Sequence, residues 1–230
     1  MIYVNGDSHT AGADIIPGIS FAEDDPKYLS YGRKPHPLAL IQTWGYKYAL
    51  HQQQEFYCDA ESASSNDRIL RTTRKFLETA DLDNTYVIIA WTTSEREEWQ
   101  HNNDYFQVTA SGTDSVPESM VDAYKKWVVE QTPQRLLERN EHWKKCIHDF
   151  STELTTRGCK HYFFTTEQYT DILKHRGFKL YNNHFGADAH TAWAKQLRGL
   201  VGANFFPNFT LTRTCIDSIL TVSKVNKLKA

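Results

Sequence analysis

The sequence predicts an α/β protein: a three-layer, doubly wound (flavodoxin-like) parallel sheet with helices on both faces. Three observations carry that prediction. Short apolar runs alternate with longer amphipathic stretches in the order strand, helix, strand, helix, strand, long helix, strand, helix, the pattern of parallel strands joined by crossover helices. The run Tyr86-Val87-Ile88-Ile89-Ala90-Trp91 is apolar throughout, as a central strand covered on both faces requires. Finally, 230 residues with 40% hydrophobic content suffice for one large core, and no linker or internal repeat divides the chain.

Taken in order, Ile2-Tyr3-Val4 is the first buried strand. Asn5-Gly6-Asp7-Ser8 turns sharply at Gly6, and Ser8-His9-Thr10 starts a helical turn. A serine at the carboxyl end of a central strand, at a helix entry, stands where open α/β sheets bind ligands. Backbone N–H groups there are free to hold an anion. An exposed hydroxyl beside such donors suits acyl transfer. Residues 13–37 contain Pro17, Gly18, Pro26, Gly32, Pro35 and Pro37 and read as a long surface loop, one candidate wall of the site. A helix over 38–51 places Leu40, Ile41, Trp44 and Tyr48 on one face, and residues 55–58 form a short strand.

Residues 59–68, DAESASSNDR, crowd small polar side chains at a second strand-to-helix junction. Ser65 is the N-cap of a helix with Ile69, Thr73, Phe76 and Leu77 inward and Arg71, Arg74 and Lys75 outward. Beyond the central strand, residues 97–133 read as irregular, with His101-Asn102-Asn103, a Ser111-Gly112 turn and a short helix over 117–129, a second candidate wall. A long helix over 134–157 carries Leu136, Leu137, Asn140, Trp143, Ile147, Phe150 and Leu154, and Gly158 ends it. The strand over 160–165 follows, then a loop over 181–190 and a last helix with Trp193, Leu197, Leu200 and Val201 inward. The main domain is 1–202. Residues 203–230 form a Thr-rich apolar extension that suits an edge strand, a docking segment or a partner contact through which the chain would oligomerise.

Composition narrows the function. A net charge of −2 suggests no nucleic-acid partner, and no apolar run is long enough for a membrane span. Cys58, Cys146, Cys159 and Cys215 are widely spaced, form no metal motif and read as reduced thiols. The N-terminus enters a strand at once, with no basic start or cleavage site, so the expected location is the cytoplasm, or a host cytoplasm or virion if the protein is viral.

Gly6-Asp7-Ser8 with Gly12 resembles the first sequence block of the SGNH (GDSL) hydrolases. Ala63-Ser64-Ser65-Asn66-Asp67-Arg68-Ile69 resembles the second block of a branch of that group, many of them phage-encoded. In that block a small residue supplies a backbone N–H to the oxyanion hole; Ala63 or Ser64 stands here in place of the usual glycine. In the wider group a Gly-x-Asn-Asp segment follows the third strand, and its asparagine donates to the oxyanion. This chain has Trp91-Thr92-Thr93-Ser94 instead, which leaves that role to Thr92, Thr93 or Asn66.

The loop from Tyr181 to His190 resembles the closing block, in which an Asp and a His precede a second His and the last helix. Aligned on that helix, the resemblance implies His184 as general base and His190 as the recurrent second histidine. The Asp usually lies two or three residues before the base, where this chain has Asn182 and Tyr181. The resemblance thus implies a Ser8–His184 dyad, with Asn182 or a backbone carbonyl holding the imidazole tautomer. A second register makes His190 the base beside Asp188, although His190 at helical spacing to Trp193 and Ala194 reads as a packed residue. A metal site of His184, Asp188 and His190 lacks clear ligand spacing.

Two functions are expected. The first is a serine ester hydrolase, an esterase or O-deacetylase acting on a small-molecule or carbohydrate ester without cofactor. Its nucleophile is Ser8, its base His184, and its oxyanion donors are Ser8 with Ala63 or Ser64 and Asn66. The alternative is a catalytically reduced binding or phage structural protein on the same fold.

Overall fold

The computed structural model describes residues 1–16, 35–110 and 116–201. Most of the expected loop wall at 13–37, the Ser111-Gly112 turn, Cys215 and the 203–230 extension with its partner contact lie outside the described residues.

The central sheet has four parallel strands: β1 (Ile2–Asn5), β2 (Phe56–Cys58), β3 (Tyr86–Trp91) and β6 (Lys160–Thr165). Their spatial order is β2-β1-β3-β6, with Ile2 beside Phe56 and Tyr86, and Tyr86 beside Lys160. Seven α-helices among the described residues accompany or connect them after the first turn α1 (Ser8–Ala11). These are α2 (Pro37–Leu40), α3 (Trp44–Gln52), α4 (Asn66–Leu77), α5 (Val121–Val129), α6 (Pro133–Thr156), α7 (Thr166–His175) and α8 (Ala187–Val201).

The period of two along each strand divides the core between the sheet faces. Ile2, Val4, Ile88, Ala90, Tyr162 and Phe164 meet α3, α7 and α8 through Trp44, Tyr48, Tyr169, Leu173, Trp193 and Leu197. Tyr3, Val87, Ile89, Trp91 and Phe163 meet α4 and α6 through Ile69, Leu77, Trp143, Phe150 and Leu154. Phe150 is fully buried, in contact with Trp91 and stacked on Phe163. Its truncation to alanine would cost about 3–5 kcal/mol.

Several expectations need correction. The helix expected over 38–51 is two helices, because Thr43 accepts a hydrogen bond from Tyr46 N and caps a new start. Ile41 sits in the break and is exposed, as is Leu137 on α6, whose buried stripe runs through Leu136 instead. The region expected to be irregular contains an antiparallel hairpin, β4 (Glu97–His101) and β5 (Asp104–Val108). Helix α7 was not expected. Its start is a capping box in which Thr165 Oγ1 accepts from Gln168 N and Gln168 Oε1 accepts from Thr165 N. The loop over 181–190 also holds a two-residue-per-strand hairpin, β7 (Leu180–Tyr181) and β8 (His184–Phe185).

Candidate functional site

Ser8 sits just past the carboxyl end of β1, and the turn that holds it is built from its neighbours. Asn5 is fully buried; its Oδ1 accepts from Gly6 N at 2.8 Å and its Nδ2 donates to Thr72 Oγ1 at 2.8 Å. Gly6 is needed for space: a Cβ there would lie 2.3 Å from Thr10 Oγ1 and 3.0 Å from the Ala90 carbonyl. Asp7 caps α1 by accepting from His9 N at 3.0 Å, and Gly12, with φ 75°, ends it by donating to Ser8 O.

His184 reaches Ser8 from β8. The β7–β8 turn is Asn182-Asn183, with φ of 46° and 66°, the left-handed pair of a tight hairpin. That hairpin pairs His184 with Tyr181. His184 Nε2 lies 2.8 Å from Ser8 Oγ, and His184 Nδ1 lies 2.9 Å from Asp14 Oδ2. Both the imidazole and the Asp14 side chain are about four-fifths covered. A hydroxyl, an imidazole and a carboxylate thus stand in series, the arrangement that removes a hydroxyl proton while fixing the imidazole tautomer.

This overturns the expected role of Asn182. Asn182 is an exposed turn residue, and the ring nitrogen it was expected to hold is taken by Asp14. No local motif ties Asp14 to the imidazole, which it precedes by 170 positions. Its one local sign is a left-handed φ of 55° just after Gly12, a conformation that Asp tolerates.

His190 is not brought to Ser8 Oγ as the imidazole partner. It is buried in α8, and its Nδ1 accepts from Trp44 N at 3.1 Å. Burial, with the nearby His9, Lys47 and His184, pushes its pKa down to about 3. Asp188 spends Oδ1 on Ala189 N at 2.8 Å. Among the described residues, no group of three His, Cys, Asp or Glu side chains converges as a metal ion would need.

The expected anion-binding donors separate into used and unused groups. Ala63 has φ 61°, a left-handed conformation that favours the glycine whose place it takes. No described residue accepts from its N–H or from Ser8 N–H. Ser64 is fully buried and spends its N–H and Oγ on Glu61 O, at 3.3 and 2.9 Å. Asn66 is also committed: its Nδ2 donates to Thr92 O at 3.1 Å and its Oδ1 accepts from Thr92 N at 2.9 Å. It ties α4 to the end of β3. Thr92 Oγ1 donates to Asp7 Oδ2 at 2.8 Å. Thr93 Oγ1 is buried with no hydrogen-bond partner among the described residues.

Three residues of the site were not anticipated besides Asp14. His9 packs 4.9 Å, centroid to centroid, from the His184 ring, and burial lowers its pKa against the opposing pull of Asp7. Thr166, at the start of α7, donates to Asp7 Oδ2 at 3.2 Å. Arg96 reaches the same carboxylate from beyond β3. Burial alone would raise the Asp7 pKa, but His9, Arg96 and the Thr92 hydroxyl outweigh it, and the carboxyl stays below its ordinary value.

A groove of about 1050 Å³ lies elsewhere, along β2, α4 and β5, lined by Tyr57, Phe76 and Tyr105 among others; neither Ser8 nor His184 borders it. No helix among the described residues is long and apolar enough to cross a membrane. No protein-family model and no curated protein matches the sequence.

Proposed function

We propose that the protein is a serine ester hydrolase of SGNH type on a three-layer, doubly wound (flavodoxin-like) sheet. The strand order β2-β1-β3-β6, with cores on both faces, supports that fold. The observation that carries the activity is the pair of contacts in series, Ser8 Oγ to His184 Nε2 and His184 Nδ1 to Asp14.

In this reading Ser8 Oγ attacks the ester carbonyl as its proton passes to His184 Nε2. The resulting imidazolium is held by Asp14. The oxyanion is met by the N–H groups of Ser8 and Ala63. Collapse breaks the bond to the alkoxide, which takes the proton from His184. Water then attacks the acyl-serine, His184 accepts its proton and returns it to Ser8, and the carboxylic acid leaves. Asn66 supports the Thr92-Thr93 segment instead of donating to the oxyanion itself. The substrate class is a small-molecule or carbohydrate ester.

The test is labelling by a fluorophosphonate probe together with hydrolysis of short-chain aryl esters. Wild type should be labelled at Ser8 and turn over the ester, and Ser8→Ala should do neither while remaining folded. An unlabelled, inactive wild type would favour a binding or phage structural role on the same fold.

A further inference from the structure

We infer that Arg96 recognises a carboxylate on the substrate, so that the site selects esters carrying a negative charge. The inference rests on the hydrolase reading and adds a substrate class to it. Arg96 Nη1 touches all three segments around Ser8: Thr92 Oγ1 at 3.1 Å, Ser64 O at 3.3 Å and Asp7 Oδ2 at 3.5 Å. The guanidinium is therefore anchored at the site by one nitrogen. Its Nε and Nη2 donate to no described residue, and its side chain is 23% exposed. Those two nitrogens form one edge of the planar group, with parallel N–H bonds that match a carboxylate in two-point fashion.

The neighbouring arginines show what a satisfied guanidinium looks like in this protein. Arg68 holds Glu61 at 2.5 Å, Arg71 holds Glu98 at 2.6 Å and Arg139 holds Glu97 at 2.7 Å. The closest described carboxylate to Arg96 is Asp7, at 3.5 Å. Asp7 does not depend on it for hydrogen bonds, since His9 N, Thr92 Oγ1 and Thr166 Oγ1 all donate to that carboxylate at 2.8–3.2 Å. Arg96 thus has binding capacity left over, on a side chain that already bonds Asp7, the neighbour of Ser8, and the Ser64 and Thr92 segments. A neutral substrate would leave that capacity unused, whereas an acyl or alcohol portion ending in a carboxylate would fill it.

The experiment compares 4-nitrophenyl acetate with the mono-4-nitrophenyl ester of succinate, which differs by a terminal carboxylate. Wild type, Arg96→Gln and Arg96→Lys are assayed on both. Wild type should prefer the succinate ester in kcat/KM. Either substitution should shrink that preference by about ten- to a hundredfold, the scale for losing a hydrogen-bonded charge pair. Any loss common to both esters reports on support of Asp7. A wild type without preference, or equal losses on both esters, would overturn the inference while leaving the hydrolase reading in place. A second arm measures monomethyl succinate binding to Ser8→Ala calorimetrically and needs no turnover. Binding that disappears in Ser8→Ala/Arg96→Gln supports the inference even if no ester is cleaved. Absent binding, or equal binding in both proteins, overturns it.

Discussion

Asp14 Oδ2 lies 2.9 Å from His184 Nδ1, although the two residues are 170 positions apart. The carboxylate that orients the imidazole comes from the turn after α1, on the same short segment as Ser8, and the imidazole comes from the far end of the domain. Asp14→Asn is the cleanest probe, because Asn tolerates the left-handed φ of 55° at this position. The fold should survive. Turnover of a good ester should fall by about 10³–10⁴-fold, since an amide can donate to Nδ1 and stabilise the wrong tautomer. A loss under tenfold, measured as kcat on a short aryl ester, would remove Asp14 from the mechanism.

The imidazole assignment gives the second prediction. His184→Ala should cost at least about a hundredfold in kcat, with a smaller change in melting temperature than His190→Ala, because its side chain keeps 18% exposure and its partners Ser8 and Asp14 are not fully buried. His190→Ala should do the reverse. It leaves the Trp44 N–H without its acceptor inside the core, at about 1–3 kcal/mol for the unpaired donor. Kinetics and thermal melts of the two variants should therefore separate. A His190 variant that melts like wild type yet is inactive would reverse the assignment.

What was legible in the sequence is what is local. The apolar runs at 2–4 and 86–91 mark buried strands before any contact is known. Ser8 and His184 were readable because each sits in a short motif at a strand end. Asp14 was not, since its pairing exists only once the first and last segments meet. The two hairpins were missed for a different reason. Each turns on Asn-Asn, at 102–103 and 182–183, with all four residues at φ between 46° and 68°. Consecutive asparagines are a left-handed turn signal, but the flanking strands are too short or too polar to advertise themselves. Asn182 shapes the turn, and Asp14 takes the His184 Nδ1 contact instead.

Asn66 yields a stability prediction where the sequence suggested a catalytic one. Its side chain satisfies both the N–H and the C=O of Thr92, and it is almost completely buried. Asn66→Ala leaves two buried backbone groups unpaired, which costs about 2–4 kcal/mol. For a domain of this size that is a drop of about 5–15 °C in Tm. Activity should fall as well, because the Thr92-Thr93 segment loses its tether, but the melting change comes first. An Asn66→Ala protein with unchanged Tm and a hundredfold lower kcat would instead make its amide a direct donor to the oxyanion.

Acid should destabilise the fold between pH 7 and 5, and His190 should account for a measurable share. Burial lowers the pKa of His190 to about 3 and depresses those of His9 and His161 as well. In the unfolded chain each imidazole takes a proton near pH 6.5. Below that pH the unfolded state binds protons the folded state refuses, so the equilibrium moves toward unfolding as pH falls. For His190 the stability present above pH 6.5 is lost progressively down to about pH 3. By pH 5 that one residue contributes a loss of about 2 kcal/mol. The shifted carboxylates act in two senses: Asp7, held below its ordinary value, loses its contribution as pH falls through the ordinary carboxylate range, and Asp67, raised by burial, acts in the opposite sense. Comparing wild type with a His190 variant from pH 7 to 5 isolates that imidazole, since the carboxylates are common to both proteins. Urea unfolding across that range should show wild-type stability falling, with His190→Gln less stable at pH 7 but losing about 2 kcal/mol less on acidification. Parallel pH curves for the two proteins would mean that His190 accepts a proton in the folded state as readily as in the unfolded one.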